Sequence, residues 1–169
     1  MYTARIKTTA DSMARSTTEV RQFKIFADEP PELGGRDGAP SPLDYILVAH
    51  GTCLNYMTFF IARELGIQVR STEIEIEAAL DPAKFAGTDR SVRAGYQAFN
   101  VTIKVDADAS PEQLTRLRDE VEARCPVSDN IANPTPVNIT MDLAGDNTEK
   151  TTIDRSPAAQ ISRMEHPLN

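Results

Sequence analysis

The spacing of apolar residues shifts along the chain, and each shift marks a new element. Thr3 to Thr9 alternates loosely, and Val20 to Phe26 sets β-branched and aromatic residues between polar ones, which predicts strands. Asp11-Ser12 to Ser16-Thr17 is turn-like, so a β-hairpin or meander is expected. Asp28 to Pro40 (DEPPELGGRDGAP) is too rich in Pro and Gly to continue either regular structure and reads as a long loop. From Leu43 to Leu65 the apolar positions recur at helical spacing: Ile46, Leu47, Cys53, Leu54, Met57, Phe60 and Ile61 lie along one face. Val48, Tyr56 and Phe59 make the opposite face apolar too. A helix greasy on both sides is either buried at a centre or shared between two subunits. Ser41 is a good N-cap, Pro42 suits the first helical position, Asp44 puts a carboxylate in the first turn, and Gly66 supplies a left-handed stop.

Period two then returns. Ile74, Ile76 and Ala78 alternate with Glu73, Glu75 and Glu77, and Phe99, Val101, Ile103 and Val105 alternate with Asn100, Thr102, Lys104 and Asp106. Two half-buried strands follow, pairing antiparallel with Lys104 on the glutamate side. Ser110-Pro111-Glu112-Gln113 has capping-box character, and Leu114, Leu117, Val121 and Cys125 form one helical stripe. Pro126 interrupts it, with Ser128-Asp129 as the cap of a short continuation to Asn133. Val137 to Met141 reads as a last strand, and from Ala144 the chain is polar and without period.

Charge and composition narrow the function classes. Eighteen Lys and Arg against twenty-five Asp and Glu give a net charge of −7, which argues against a nucleic-acid or anionic-membrane surface. Hydrophobic residues at 40% supply enough material for a core. No apolar run is expected to reach the roughly 18–20 residues of a membrane span, and the Met1–Ile6 start lacks signal-peptide features. A cytoplasmic protein is the expectation. Gly34-Gly35 and Gly38 match neither dinucleotide-binding nor P-loop spacing, and no serine-nucleophile elbow is present.

The chemistry turns on two cysteines. They are too few for a disulfide scaffold or a Cys-only zinc site, leaving inert packing, a redox pair, or a mixed Cys/His metal site. Cys53 sits mid-helix and Cys125 ends the second helix on its apolar stripe. Both aim inward, as a reversible dithiol requires, and as two small buried hydrophobes would also do. His50, three residues before Cys53, could orient or polarise that thiol, or form half of a metal site. The other histidine, His166, lies in the C-terminal segment, and no metal is expected.

Taken in order, Asp28-Glu29-Pro30-Pro31-Glu32-Leu33-Gly34-Gly35 ahead of Ser41-Pro42, then Ala49-His50-Gly51-Thr52-Cys53, then Cys125-Pro126-Val127-Ser128, the sequence resembles the osmotically inducible protein C / organic hydroperoxide resistance (OsmC/Ohr) family. The resemblance covers about residues 1–142 as one domain and leaves 143–169 as a polar tail. It implies an α+β fold in which antiparallel sheets wrap long central helices in an intertwined homodimer. It also implies a thiol-dependent peroxidase, acting on organic hydroperoxides or hydrogen peroxide, with Cys53 peroxidatic and Cys125 resolving. No cofactor is then needed beyond an external dithiol or dithiol-protein reductant. Peroxidase members carry a glutamate ten residues before the first cysteine, salt-bridged to an arginine of the N-terminal hairpin. Leu43 holds that glutamate position here, with Asp44 beside it, so the implied thiolate-activating group is Arg21 or Arg15, held by Asp44, with His50 as the other candidate. The alternative is a non-enzymatic member that binds an apolar ligand or a protein at its interface pocket.

Overall fold

The computed structural model describes residues 2–143 together with 153–154. The chain divides into two compact units, Met1–Asp129 and Asn130–Asn169.

The first unit opens with an antiparallel meander of β1 (Lys7–Ala10), β2 (Ser16–Val20) and β3 (Phe23–Ala27). The expected single strand from Val20 to Phe26 is in fact two strands. Val20 pairs with Phe23 across a two-residue turn in which Arg21 takes a left-handed φ of 52°. An arginine rarely adopts that conformation, so the turn has no glycine to announce it.

The loop from Asp28 to Pro40 is ordered by its own backbone. Asp28 is buried, its carboxylate accepts from the Gly38 amide at 3.1 Å, and its amide donates to the Pro40 carbonyl. A short 3-10 turn at Pro31–Leu33 ends on Gly34 at φ 85°. Gly35 packs so tightly that a Cβ there would lie 1.7 Å from the Glu29 carbonyl oxygen. Only glycine fits this crossing.

Helix α1 (Pro42–Glu64) starts with a full capping box. The Ser41 hydroxyl accepts the Asp44 amide, and the Asp44 carboxylate accepts the Ser41 amide and hydroxyl, both at 2.8 Å. This 23-residue helix contains an 18-residue window of mean hydropathy 1.3, so by length and composition alone it could cross a membrane. That corrects the expectation that no run is long enough. One face of α1, with His50, Leu54, Met57, Thr58, Ile61 and Ala62, is buried against the rest of the unit. On the other face Val48, Tyr56 and Phe59 stay 40–64% exposed in the single protomer, and Ile46 is 41% exposed as well.

β4 (Gln68–Ala79) and β5 (Ala98–Asp108) form an antiparallel ribbon with a register shift between Val69 and Ser71. Glu73 stands opposite Lys104, whose ammonium donates to Glu73 at 2.6 Å and Glu75 at 3.0 Å. The other side of the ribbon packs Ile74, Ile76 and Ile103 on the core. Helix α2 (Pro111–Arg124) begins with a second capping box, Ser110 with Gln113, and buries Leu117 and Val121 against α1. Leu114, the first member of the expected stripe, is 38% exposed. At the far end of α2, Arg124 pairs with Glu64 at 2.6 Å.

Helix α3 (Pro126–Ala132) starts at Pro126, not at the expected Ser128 cap, because proline at the first helical position needs no amide partner. In the second unit, β6 (Thr140–Met141) is shorter than the expected Val137–Met141 strand. It pairs antiparallel with β7 (Ile153–Asp154), an element absent from the reading of that region as a polar tail. The remainder of 144–169, including His166, lies outside the described residues.

Candidate active site at the Cys53–Cys125 pair

Three helices in this chain begin the same way: a side chain that can accept, then proline, then any residue, then a residue whose amide is offered back. Ser41-Pro42-Leu43-Asp44 opens α1 and Ser110-Pro111-Glu112-Gln113 opens α2; in each the serine hydroxyl accepts the third amide at 3.3 Å. Cys125-Pro126-Val127-Ser128 opens α3, and there the Ser128 amide donates to the Cys125 sulfur at 3.5 Å. The Cys125 carbonyl accepts the Asp129 amide at 3.0 Å, while the Cys125 amide closes α2 on Val121. Cys125 itself is extended, with φ −74° and ψ 112°. A thiol therefore stands where a capping hydroxyl would, at a break between two helices.

α1 brings the second thiol to it. The Cys53 sulfur lies 3.3 Å from that of Cys125, and both thiols are free. Cys125 is 1% exposed, whereas Cys53 is only partly buried. Cys53 is thus the more accessible of the two in the protomer.

The two sulfurs differ in their surroundings. Burial pushes the Cys53 thiol up, its hydrogen bond and charge interaction with Cys125 push it further, and the Val127 amide only partly offsets them. Burial acts upward on Cys125 as well. There it is outweighed by hydrogen bonds from the Ser128 hydroxyl and amide, the Cys53 thiol and the Val127 amide, so Cys125 is held below the ordinary thiol range. Of the two thiols Cys125 is therefore the more readily ionised, and once ionised it can accept the Cys53 S–H.

His50 reaches this centre by an indirect route. It is buried on α1, its Nε2 lies 2.9 Å from the Ser128 hydroxyl, and its ring meets the edge of Phe99 at 5.7 Å between centroids. Burial lowers its pKa, which keeps the ring neutral. Its hydrogen-bond partner is thus Ser128, beside Cys125, and not Cys53 as its position in the sequence suggests.

The other expected activators are occupied elsewhere within the protomer. Asp44 is spent on the α1 capping box. Arg15 lies 3.8 Å from Asp11, sits over the Phe26 ring, and borders a polar cleft with Ser12, Asp28 and Arg36. Arg21 lies over the ring of Phe23 in its turn. None of the three is among the groups that shift Cys53, and its pKa is raised accordingly. Among the described residues, no three His, Cys, Asp or Glu side chains converge into a metal-binding group. Sequence reasoning missed Ser128 and the Val127 amide; the available signal was the cap-Pro-x-N3 spacing shared with the two serine caps.

Residues 35–140 match the family model described as OsmC-like protein. No curated protein sequence matches the chain. Among solved structures, the fold is similar to an OsmC-like protein from Mycoplasma pneumoniae, with 16% identity, TM-score 0.67, and coverage of 78% of this chain and 89% of that one. It is also similar to an organic hydroperoxide resistance protein OsmC from Legionella pneumophila (19%, TM-score 0.57, 78% and 90%). An osmc-like hydroperoxide resistance protein from Jannaschia sp. is 17% identical, with TM-score 0.53 over 89% and 95% of the two chains.

Proposed function

The chain belongs to the OsmC-like protein family, and we propose that within it this member is a thiol peroxidase that reduces organic hydroperoxides or hydrogen peroxide. The observation that carries the reading is the 3.3 Å approach of an accessible thiol, Cys53, to a buried thiol, Cys125, held low by hydrogen bonds. The Legionella pneumophila and Jannaschia sp. structures are both named for hydroperoxide resistance, which supports the same substrate class.

The cycle balances on these two sulfurs. Cys53 sulfur attacks the terminal peroxide oxygen, the O–O bond breaks, and the alkoxide leaves with a proton as the alcohol, or as water from hydrogen peroxide. Cys53 is oxidised to a sulfenic acid. Cys125 thiolate then attacks that sulfur, forming the disulfide and expelling hydroxide. An external dithiol returns both cysteines to thiols by exchange and becomes a disulfide itself. The exposed apolar side chains Val48, Tyr56 and Phe59 on the open face of α1 fit a homodimer, in which a second copy would cover them. Peroxide consumption coupled to a dithiol, lost in Cys53→Ser, is the direct test.

A second reading draws on the raised pKa of Cys53, to which no cation contributes among the described residues. In it both thiols only pack, and the apolar α1 face binds a ligand or a partner protein. Such a protein would show two inert thiols and no peroxide turnover.

A further inference from the structure

His50 and Ser128 come from different helices, 78 residues apart, yet lie within hydrogen-bond distance beside the buried sulfur of Cys125. Nothing in the peroxidase cycle itself requires them. The Nδ1 atom of His50 is buried and has no hydrogen-bond partner. A bare ring lone pair is tolerated there far better than an orphaned N–H, so the proton belongs on Nε2. Nε2–H then donates to the Ser128 oxygen. That leaves the Ser128 hydroxyl proton for the sulfur of Cys125, which also receives the Ser128 amide. Every donor in the row points the same way, and it ends on Cys125.

We propose that His50 and Ser128 are positioning residues that hold Cys125 as the thiolate of the pair, and that this thiolate takes the Cys53 proton as Cys53 attacks peroxide. The inference rests on the peroxidase reading for its last step only. The Cys53 S–H bond breaks toward Cys125 while the Cys53 sulfur bonds to the peroxide oxygen. The departing alkoxide collects the proton from Cys125 and leaves as the alcohol. Cys125 is again a thiolate and attacks the sulfenic sulfur, releasing hydroxide. The internal base thereby takes the place of an arginine beside the attacking thiol. In the later reduction, Cys125 is the better leaving group, because a more acidic thiol departs faster.

Among the described residues, the titratable groups that adjoin this centre in sequence or by contact are these. From α1 come His50 and Cys53; from α3, Asp129, whose amide is bonded to the Cys125 carbonyl; from α2, Arg124, engaged with Glu64 and Glu120; and ahead of β5, Tyr96, packed on Phe99. None of the charged side chains is among the causes that set Cys125 low. A hydroxyl is.

The test titrates the reduced full chain by thiolate ultraviolet absorbance, without peroxide, alongside the pH profile of peroxide consumption. The parent should ionise in two steps, and Cys125→Ser should lose the lower one. Ser128→Ala should raise the lower step by about one pH unit, equivalent to about a tenfold loss of thiolate below it. Ser128→Thr, which keeps the hydroxyl, should restore it, and His50→Phe should shift it the same way by less. The pH–rate profile should move with the lower step in each variant, which a purely structural defect would not produce. An unmoved lower step in both Ser128→Ala and His50→Phe, or its survival in Cys125→Ser, would overturn the proposal. Ionisation in the expected order without peroxide consumption would remove the peroxidase reading and leave the thiolate assignment standing. Turnover with Cys53 as the more acidic thiol would do the reverse.

Discussion

The sulfur of Cys125 is the N-cap of α3 and, 3.3 Å away, the hydrogen-bond partner of Cys53. One atom thus joins a helix start to a redox pair. The division of labour between the two thiols should follow from that asymmetry.

Cys53→Ser should abolish peroxide consumption, since sulfur supplies both the nucleophile and the oxidisable atom. Cys125→Ser should permit a single slow turnover and leave a sulfenic acid on Cys53, detectable by trapping and mass spectrometry. Normal cycling of the Cys125 variant with a dithiol would refute the resolving role.

The pH dependence has a definite sign. Cys125 is held below the ordinary thiol value and Cys53 above it. The peroxide rate should therefore rise with pH through the ionisation of Cys125, on the acid side of a free cysteine, and not wait for that of Cys53. A stopped-flow profile that rises only on the alkaline side would contradict this order.

Asp44→Ala should cost about 1 kcal/mol of stability in denaturant unfolding, the usual loss for a helix cap. It should leave the thiol titration where it was, because the carboxylate serves Ser41. A shifted thiol titration would show that Asp44 acts on the thiols after all.

The exposed face of α1 predicts assembly. At micromolar concentration, sedimentation should report a dimer, and Tyr56→Asp or Val48→Asp should weaken it at least tenfold, or about 1.4 kcal/mol. A compact monomeric parent would remove the ground for a shared interface.

Gly35→Ala should destabilise the loop by about 1–3 kcal/mol, because the new Cβ meets the Glu29 carbonyl carbon and oxygen. Thermal unfolding reads this directly, and an unshifted Tm would mean the loop relaxes freely.

Elements with a clear period were legible from the sequence. The α1 apolar spacing, its Ser41-Pro42 start, the β4–β5 alternation and the pairing of Lys104 with the glutamate face all stand in the structure. The break between β2 and β3 was not, since Arg21 takes a left-handed turn conformation that its side chain does not advertise. The start of α3 is hidden for a chemical reason: cysteine is not among the residues that ordinarily cap helices, whereas Ser128, three residues on, is. For the site, inward-facing cysteines were visible, but their 3.3 Å approach depends on how α1 meets α2, which no local pattern encodes. His50 was noticed for its nearness to Cys53 in sequence. Its actual partner is 78 residues away, and only the packed chain brings them together.

Because a thiol caps α3, the first turn of that helix should register the oxidation state of the protein. A thiolate is a strong acceptor for the Ser128 amide; a disulfide sulfur, having shared its electron pair, is a weak one. The Cys125 backbone cannot follow the moving sulfur easily, since its amide is tied to Val121 and its carbonyl to Asp129. Forming the bond to Cys53 would thus withdraw the cap and leave the Ser128 N–H without its acceptor. Hydrogen–deuterium exchange at that single amide would then run faster in the oxidised chain than in the reduced one, making a backbone proton a gauge of the catalytic cycle.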